Sequence, residues 1–147
     1  FNAATNAFIT TIGVGSGPRG IAVSPAGSRA YVANRLSQTA SVINTATNAV
    51  IATVPAGNEA FGVSVSSDGS RAYVANQLSQ NLTVINTATN TVATTIALGG
   101  SAIAFGNFIK PATNCSGTAQ TFTITVNPTP AVTSAATGTD CSGPAQN

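Results

Sequence analysis

The chain repeats itself every 42 residues. Phe1-Asn2-Ala3-Ala4-Thr5-Asn6 is followed at that interval by Ile43-Asn44-Thr45-Ala46-Thr47-Asn48 and then by Ile85-Asn86-Thr87-Ala88-Thr89-Asn90. Inside the unit, Gly27-Ser28-Arg29-Ala30-Tyr31-Val32-Ala33-Asn34 returns as Gly69-Ser70-Arg71-Ala72-Tyr73-Val74-Ala75-Asn76, and Leu36-Ser37-Gln38 returns as Leu78-Ser79-Gln80. Repetition at this length restricts the fold to stacked units, because one unit cannot bury its own apolar face.

Each period reads as four short strands. Residues 20–24 and 62–66 are small and β-branched, which suits a crowded inner strand. Pro25-Ala26-Gly27-Ser28 and Ser67-Asp68-Gly69-Ser70 are turns, with glycine supplying a positive φ. Residues 29–34 and 71–76 alternate as second strands, 41–44 and 83–86 as third strands, and 49–54 and 91–96 as fourth, outer strands. Asn48 and Asn90 are the natural left-handed residues in the Thr-Ala-Thr-Asn turns between the third and fourth. No segment carries a 3.6-residue apolar period, so the expected fold class is all-β. Four strands in about 42 residues is the signature of a β-propeller blade.

The recurring Tyr-Val-Ala-Asn, with Ser-Pro or Ser-Asp-Gly before it and Val-Ile-Asn-Thr-Ala-Thr-Asn after it, resembles YVTN-type β-propeller repeats across residues 1–108. The resemblance implies a propeller scaffold of the kind found in bacterial and archaeal secreted and cell-surface proteins. It also implies more blades than are counted here. The expectation is two whole blades forming an incomplete ring, an outer strand before them, and an inner-strand segment at 102–105 after them. Two blades leave sheet edges and apolar faces open. The partners expected to cover them are the missing blades of a longer chain or other copies of this one. The chain lacks an initiator Met and a signal-peptide pattern at its start, which reads as processing or truncation.

Residues 109–147 read as a different module. Cys115-Ser116-Gly117-Thr118-Ala119-Gln120 returns 26 residues later as Cys141-Ser142-Gly143-Pro144-Ala145-Gln146. Between them, Thr121-Phe122-Thr123-Ile124-Thr125-Val126 alternates strictly, placing Phe122, Ile124 and Val126 on one face as candidates for strand-mediated assembly. Asn127-Pro128-Thr129-Pro130 makes an extended linker. The pattern resembles part of a PKD-like, immunoglobulin-like segment of bacterial surface proteins. Cys115 and Cys141 are candidates for a disulfide, worth about 3.5 kcal/mol on the chain-entropy model, or each pairs with a cysteine elsewhere. Either pairing implies an oxidising, extracytoplasmic location.

Composition narrows the function. Only 5% of residues are charged, five Lys+Arg against three Asp+Glu, and there is no His, Met or Trp. Without His a Ser-His-Asp triad is excluded, and Glu59, Asp68 and Asp140 are too sparse for a carboxylate dyad or metal cage. Five scattered cations make no nucleic-acid patch, and no apolar run is long enough to insert into a membrane as a helix. No catalytic residue, metal or cofactor is expected.

Other recurring or distinctive residues have a structural and a functional reading. Arg29 and Arg71 read as structural donors to turn carbonyls rather than a ligand-binding ring. Tyr31 and Tyr73 read as inter-blade packing residues with hydrogen-bonded hydroxyls. Residues 13–20 form a glycine-rich loop without the features of a phosphate loop. Asn81 and Asn114 head Asn-x-Ser/Thr sequons and are glycosylation candidates. The expected function is a non-enzymatic extracellular structural or adhesive protein of the cell surface, self-assembling through strand and blade edges. The alternative is a piece of a complete secreted propeller that binds a glycan or protein ligand.

Overall fold

A computed structural model describes residues 4–104, 106, 108 and 109. Among the described residues eight strands make two four-stranded antiparallel sheets, in simple meander order. The first contains β1 (Pro18–Val23), β2 (Arg29–Asn34), β3 (Thr39–Asn44) and β4 (Ala49–Pro55); the second contains β5 (Ala60–Val65), β6 (Arg71–Asn76), β7 (Asn81–Asn86) and β8 (Thr91–Ala97). The sequence period is also a period of register: Tyr31 faces Val42 in one sheet as Tyr73 faces Val84 in the other. Even the irregularities repeat, with bulges between Val42 and Ile43 and between Val84 and Ile85.

Side-chain chemistry closes the turns. Gly27 and Gly69 take φ of 70° and 72°, the left-handed conformation that costs glycine little. Asn48 and Asn90 sit at φ of 53° and 56°, as their place in the Thr-Ala-Thr-Asn turns led us to expect. At the start of these turns the Asn44 side-chain oxygen accepts from the amides of Ala46 and Thr47 at 2.9 and 3.1 Å, and Asn86 accepts likewise from Ala88 at 2.9 Å. The next residue then ties two turns of one blade together. Thr45 Oγ1 donates to the Gly27 carbonyl and Thr87 Oγ1 to the Gly69 carbonyl, each at 2.7 Å.

The main core lies between the sheets rather than within either. Tyr31, Ala33, Ala40, Val42 and Val54 of the first blade pack with Ala60, Val63, Val65, Ala72, Val74 and Ile85 of the second. Inner strands β1 and β5 lie side by side, as in adjacent propeller blades. Two smaller clusters cap the outer faces of the pair. Ile12 and Val14 rest on Ala30, Val32 and Ile43. Beyond the second blade, Leu98, Ala102, Ala104 and Phe108 gather around Ala75 and Leu82.

These caps correct one expectation. The segment before β1 occupies the place of a preceding outer strand but forms no ladder among the described residues. The physical reason is that an outer strand needs a third strand of its own blade for its hydrogen bonds, and the described residues contain none for it. The inner-strand segment after β8 likewise reaches its place, with Ala102 buried, without a ladder.

Candidate functional site

Arg29 opens β2, and its side chain crosses to the second blade. Its Nη1 donates to the Thr87 carbonyl and to Asn90 Oδ1, the latter at 2.9 Å. Both acceptors belong to the turn between β7 and β8, so a charge-assisted pair of bonds clamps blade to blade. This agrees with reading Arg29 as a structural donor. Its counterpart Arg71 donates to the carbonyl of its own neighbour Ser70 at 3.0 Å.

Below the clamp, Tyr31 is fully buried, and its hydroxyl has no hydrogen-bond partner among the described residues. Burial pushes the Tyr31 pKa up, and the Arg29 guanidinium beside the hydroxyl partly offsets this, through hydrogen bonding first and charge second. A cleft of about 420 Å³ opens here between the turns, with Arg29, Tyr31, Asp68 and Thr87 on its walls. Asp68 is held by its own turn: Ser66 Oγ donates to Oδ1 at 2.5 Å, the Ser70 amide to Oδ1 at 3.0 Å and Ser70 Oγ to Oδ2 at 2.8 Å. Led by the Ser66 hydroxyl, these donors lower its pKa to about 2.

The final Asn of each Tyr-Val-Ala-Asn strand is a feature sequence reasoning missed. Asn34 and Asn76 are both fully buried. Asn34 Nδ2 donates to Thr39 Oγ1 and Ser41 Oγ at 3.1 and 2.9 Å; Asn76 Nδ2 donates to Asn81 Oδ1 and Thr83 Oγ1 at 2.7 and 2.9 Å. Each amide therefore staples the second strand to the third. Gly15 and Gly57 lie against these amides, so closely that an added Cβ would come within 2.7 Å of Asn34 Cγ and 2.8 Å of Asn76 Cγ. The signal was present in the sequence as an Asn followed seven residues later by Ser or Thr.

At the inner strands a second cleft, about 280 Å³, is lined by Arg19, Gly20, Ile21, Phe61, Gly62 and Ala104 among others. The Arg19 guanidinium lies 5.3 Å from the centre of the Phe61 ring, within reach of a cation–π attraction. Close approach of the backbones dictates glycine here. A Cβ on Gly20 would meet the Phe61 carbonyl oxygen at 2.6 Å, and one on Gly62 would meet that of Ala104 at 2.1 Å.

The sequence-level site candidates divide sharply. Asn81 opens β7, half-buried, with its side-chain oxygen accepting from Asn76, and Thr83 of the same sequon is buried. Asn114, Cys115, Phe122, Ile124, Val126 and Cys141 lie outside the described residues. Glu59 forms an ion pair with Arg35 across the β2–β3 and β4–β5 connections. Among the described residues no group of three or more His, Cys, Asp or Glu gathers as a metal site. No helix among them is long and apolar enough to cross a membrane.

Two antiparallel sheets stacked through their inner strands define a β-propeller fragment. The family model for YNCE-like β-propellers matches residues 7–108, and the chain belongs to that family. Among solved structures, the Kuenenia stuttgartiensis hydrazine synthase is similar at 29% identity and a TM-score of 0.56, over 58% of this chain and 25% of that one. Apo AztD from Citrobacter koseri is similar at 14% identity and a TM-score of 0.54, over 63% of this chain and 26% of that one. At that identity the likeness is one of fold. The chain thus spans about a quarter of the length of either structure. No curated protein sequence matches it significantly.

Proposed function

We propose that these blades belong to a closed, non-catalytic propeller outside the cytoplasm that binds a glycan or protein ligand on its inner-strand face. The observation that carries the ring is a difference between equivalent positions. Val63 and Val65 on β5 are 2% and 8% exposed, because the first blade covers them. Their counterparts on β1, Ile21 and Val23, are 64% and 55% exposed. A preceding blade supplies the cover that these apolar residues call for. The stacked Arg19 and Phe61 are the residues best suited to meet a ligand at the inner cleft, through the cation and the ring face.

Available chemistry supports a binding role. The chain has no His, its Glu59 is paired with Arg35, and Asp68 is engaged by two serines and an amide. The likeness to hydrazine synthase therefore brings this segment a scaffold rather than a reaction. Residues 109–147, read as PKD-like, would connect such a propeller to a surface. Screening the full-length protein on a glycan and surface-protein array tests the reading: saturable binding lost in Arg19→Ala and Phe61→Ala supports it, and the absence of any ligand overturns it.

A second reading, self-assembly into a fibre or surface layer, is favoured by the same open apolar faces and by a surface with very little charge to keep copies apart. Electron microscopy of the native material separates the two. Closed discs support the ring, and filaments support assembly.

A further inference from the structure

The cleft between the turns of the two blades holds two opposite charges that do not meet. Arg29 and Asp68 both line it, together with parts of the β1–β2, β5–β6 and β7–β8 turns. Among the described residues the one ion pair joins Arg35 to Glu59, so neither charge in the cleft has an opposite charge within bonding reach. Arg29 is met by neutral acceptors, the Thr87 carbonyl and Asn90 Oδ1, and both of these bonds use Nη1. Asp68 is met by neutral donors from Ser66 and Ser70, which keep it ionised. Its Oδ2 accepts one of those bonds and keeps a lone pair for a further donor.

The turn does not need this carboxylate to form. One period earlier the position is Ala26, yet the Gly27 amide donates to the Ser24 carbonyl at 2.8 Å just as the Gly69 amide donates to that of Ser66 at 2.9 Å. Asp68 therefore adds a charge to a turn that already closes through its backbone. The third group is Tyr31, which also lines the cleft and is fully buried. Its hydroxyl proton has no acceptor among the described residues, because the neighbouring guanidinium can only donate. A buried hydroxyl left in that condition is costly to the fold.

We propose that this cleft binds a small zwitterion, a molecule carrying both a carboxylate and an ammonium group. The ammonium donates to Asp68 Oδ2, and the carboxylate accepts from the Arg29 guanidinium and the Tyr31 hydroxyl. The hydroxyl is closed to solvent, so the carboxylate reaches it as the Arg29 side chain turns about its Nη1 bonds. A space of about 420 Å³ suits a molecule the size of an amino acid. This site is separate from the inner-strand cleft of Arg19 and Phe61. Its walls come from the two described blades alone, so it does not rest on a closed ring.

The test titrates the isotope-labelled full-length protein with glycine, β-alanine and γ-aminobutyrate, which differ only in the separation of their two charges. Acetate and ethylamine, with one charge each, are the controls. The expected result is saturable binding of at least one of the three, shifting the resonances of Arg29, Tyr31 and Asp68. It should be about tenfold tighter than either control, the size expected for a charge-assisted hydrogen bond. Asp68→Asn should remove that advantage and leave acetate binding unchanged. Tyr31→Phe should weaken the zwitterion severalfold without lowering the thermal midpoint, whereas a hydroxyl that served only the fold would lower it. No binding of any of the three overturns the site. Equal binding of acetate, or of the neutral sugar glucose, overturns the charge pairing, and binding untouched by Asp68→Asn overturns the role of the carboxylate.

Discussion

Arg29 and Asn90 are 61 residues apart in sequence, yet the guanidinium of one donates to the side-chain oxygen of the other at 2.9 Å. The bond joins the first residue of a strand to the left-handed residue of a turn in the next blade. Hydrogen bonds to a charged partner contribute about 1.5–3 kcal/mol. Arg29→Ala is therefore expected to lower unfolding stability by about 1–3 kcal/mol, read as a lower urea midpoint. Arg29→Lys, which keeps the charge but lacks the forked donors, should recover part of the loss.

The glycines of the inner strands make a sharper prediction. Gly62→Ala places a methyl group 2.1 Å from a backbone carbonyl oxygen, where no flexible side chain can give way. Overpacking of this kind costs about 1–3 kcal/mol. Gly13→Ala, with nothing within 4 Å of the new atom, should leave the thermal midpoint unchanged. Equal effects at the two positions would remove the argument from close approach.

Asn76 offers a test of the buried staple. In Asn76→Ala the oxygens of Asn81 and Thr83 lose their common donor. Leaving the buried Thr83 oxygen without this donor costs about 1–3 kcal/mol, and the half-buried Asn81 oxygen adds a smaller loss. Asn34→Ala should behave alike, because its two acceptors occupy the same places on the first blade. Hydrogen exchange should show the β6–β7 hairpin opening first in the Asn76 variant.

Asp68 gives the fold a dependence on acid. Its folded pKa of about 2 lies below the ordinary 3.8, so the unfolded chain takes up the proton first. The stabilisation is therefore present above 3.8 and is lost as pH falls from there through about 2. Asp68→Asn should remove that part of the acid sensitivity. Its thermal midpoint should converge on that of the unaltered protein at the acid end of the window. A gap that widens on acidification would contradict the assignment.

Much of this architecture was legible because the repeat obeys local rules. The second strands fall at residues 29–34 and 71–76 as read, and the positive φ of Gly27, Gly69, Asn48 and Asn90 follows from turn chemistry. The third strands start two residues earlier than read, at Thr39 and Asn81, because these residues pair with Asn34 and Asn76 across the hairpin. What stayed hidden depends on distance in space rather than in sequence. Neither the crossing of Arg29 nor the contact forbidding a side chain at Gly62 has any local signature.

The Thr-Ala-Thr-Asn turn couples three scales of the molecule. At residues 87–90 Thr87 fastens an earlier turn of the same blade, Asn86 before it closes the local loop, and Asn90 receives Arg29 of the blade before. A deletion of one residue there would break all three connections together. A change of length by one residue at this turn alters the spacing of these partners, whereas a change by a whole 42-residue unit preserves it.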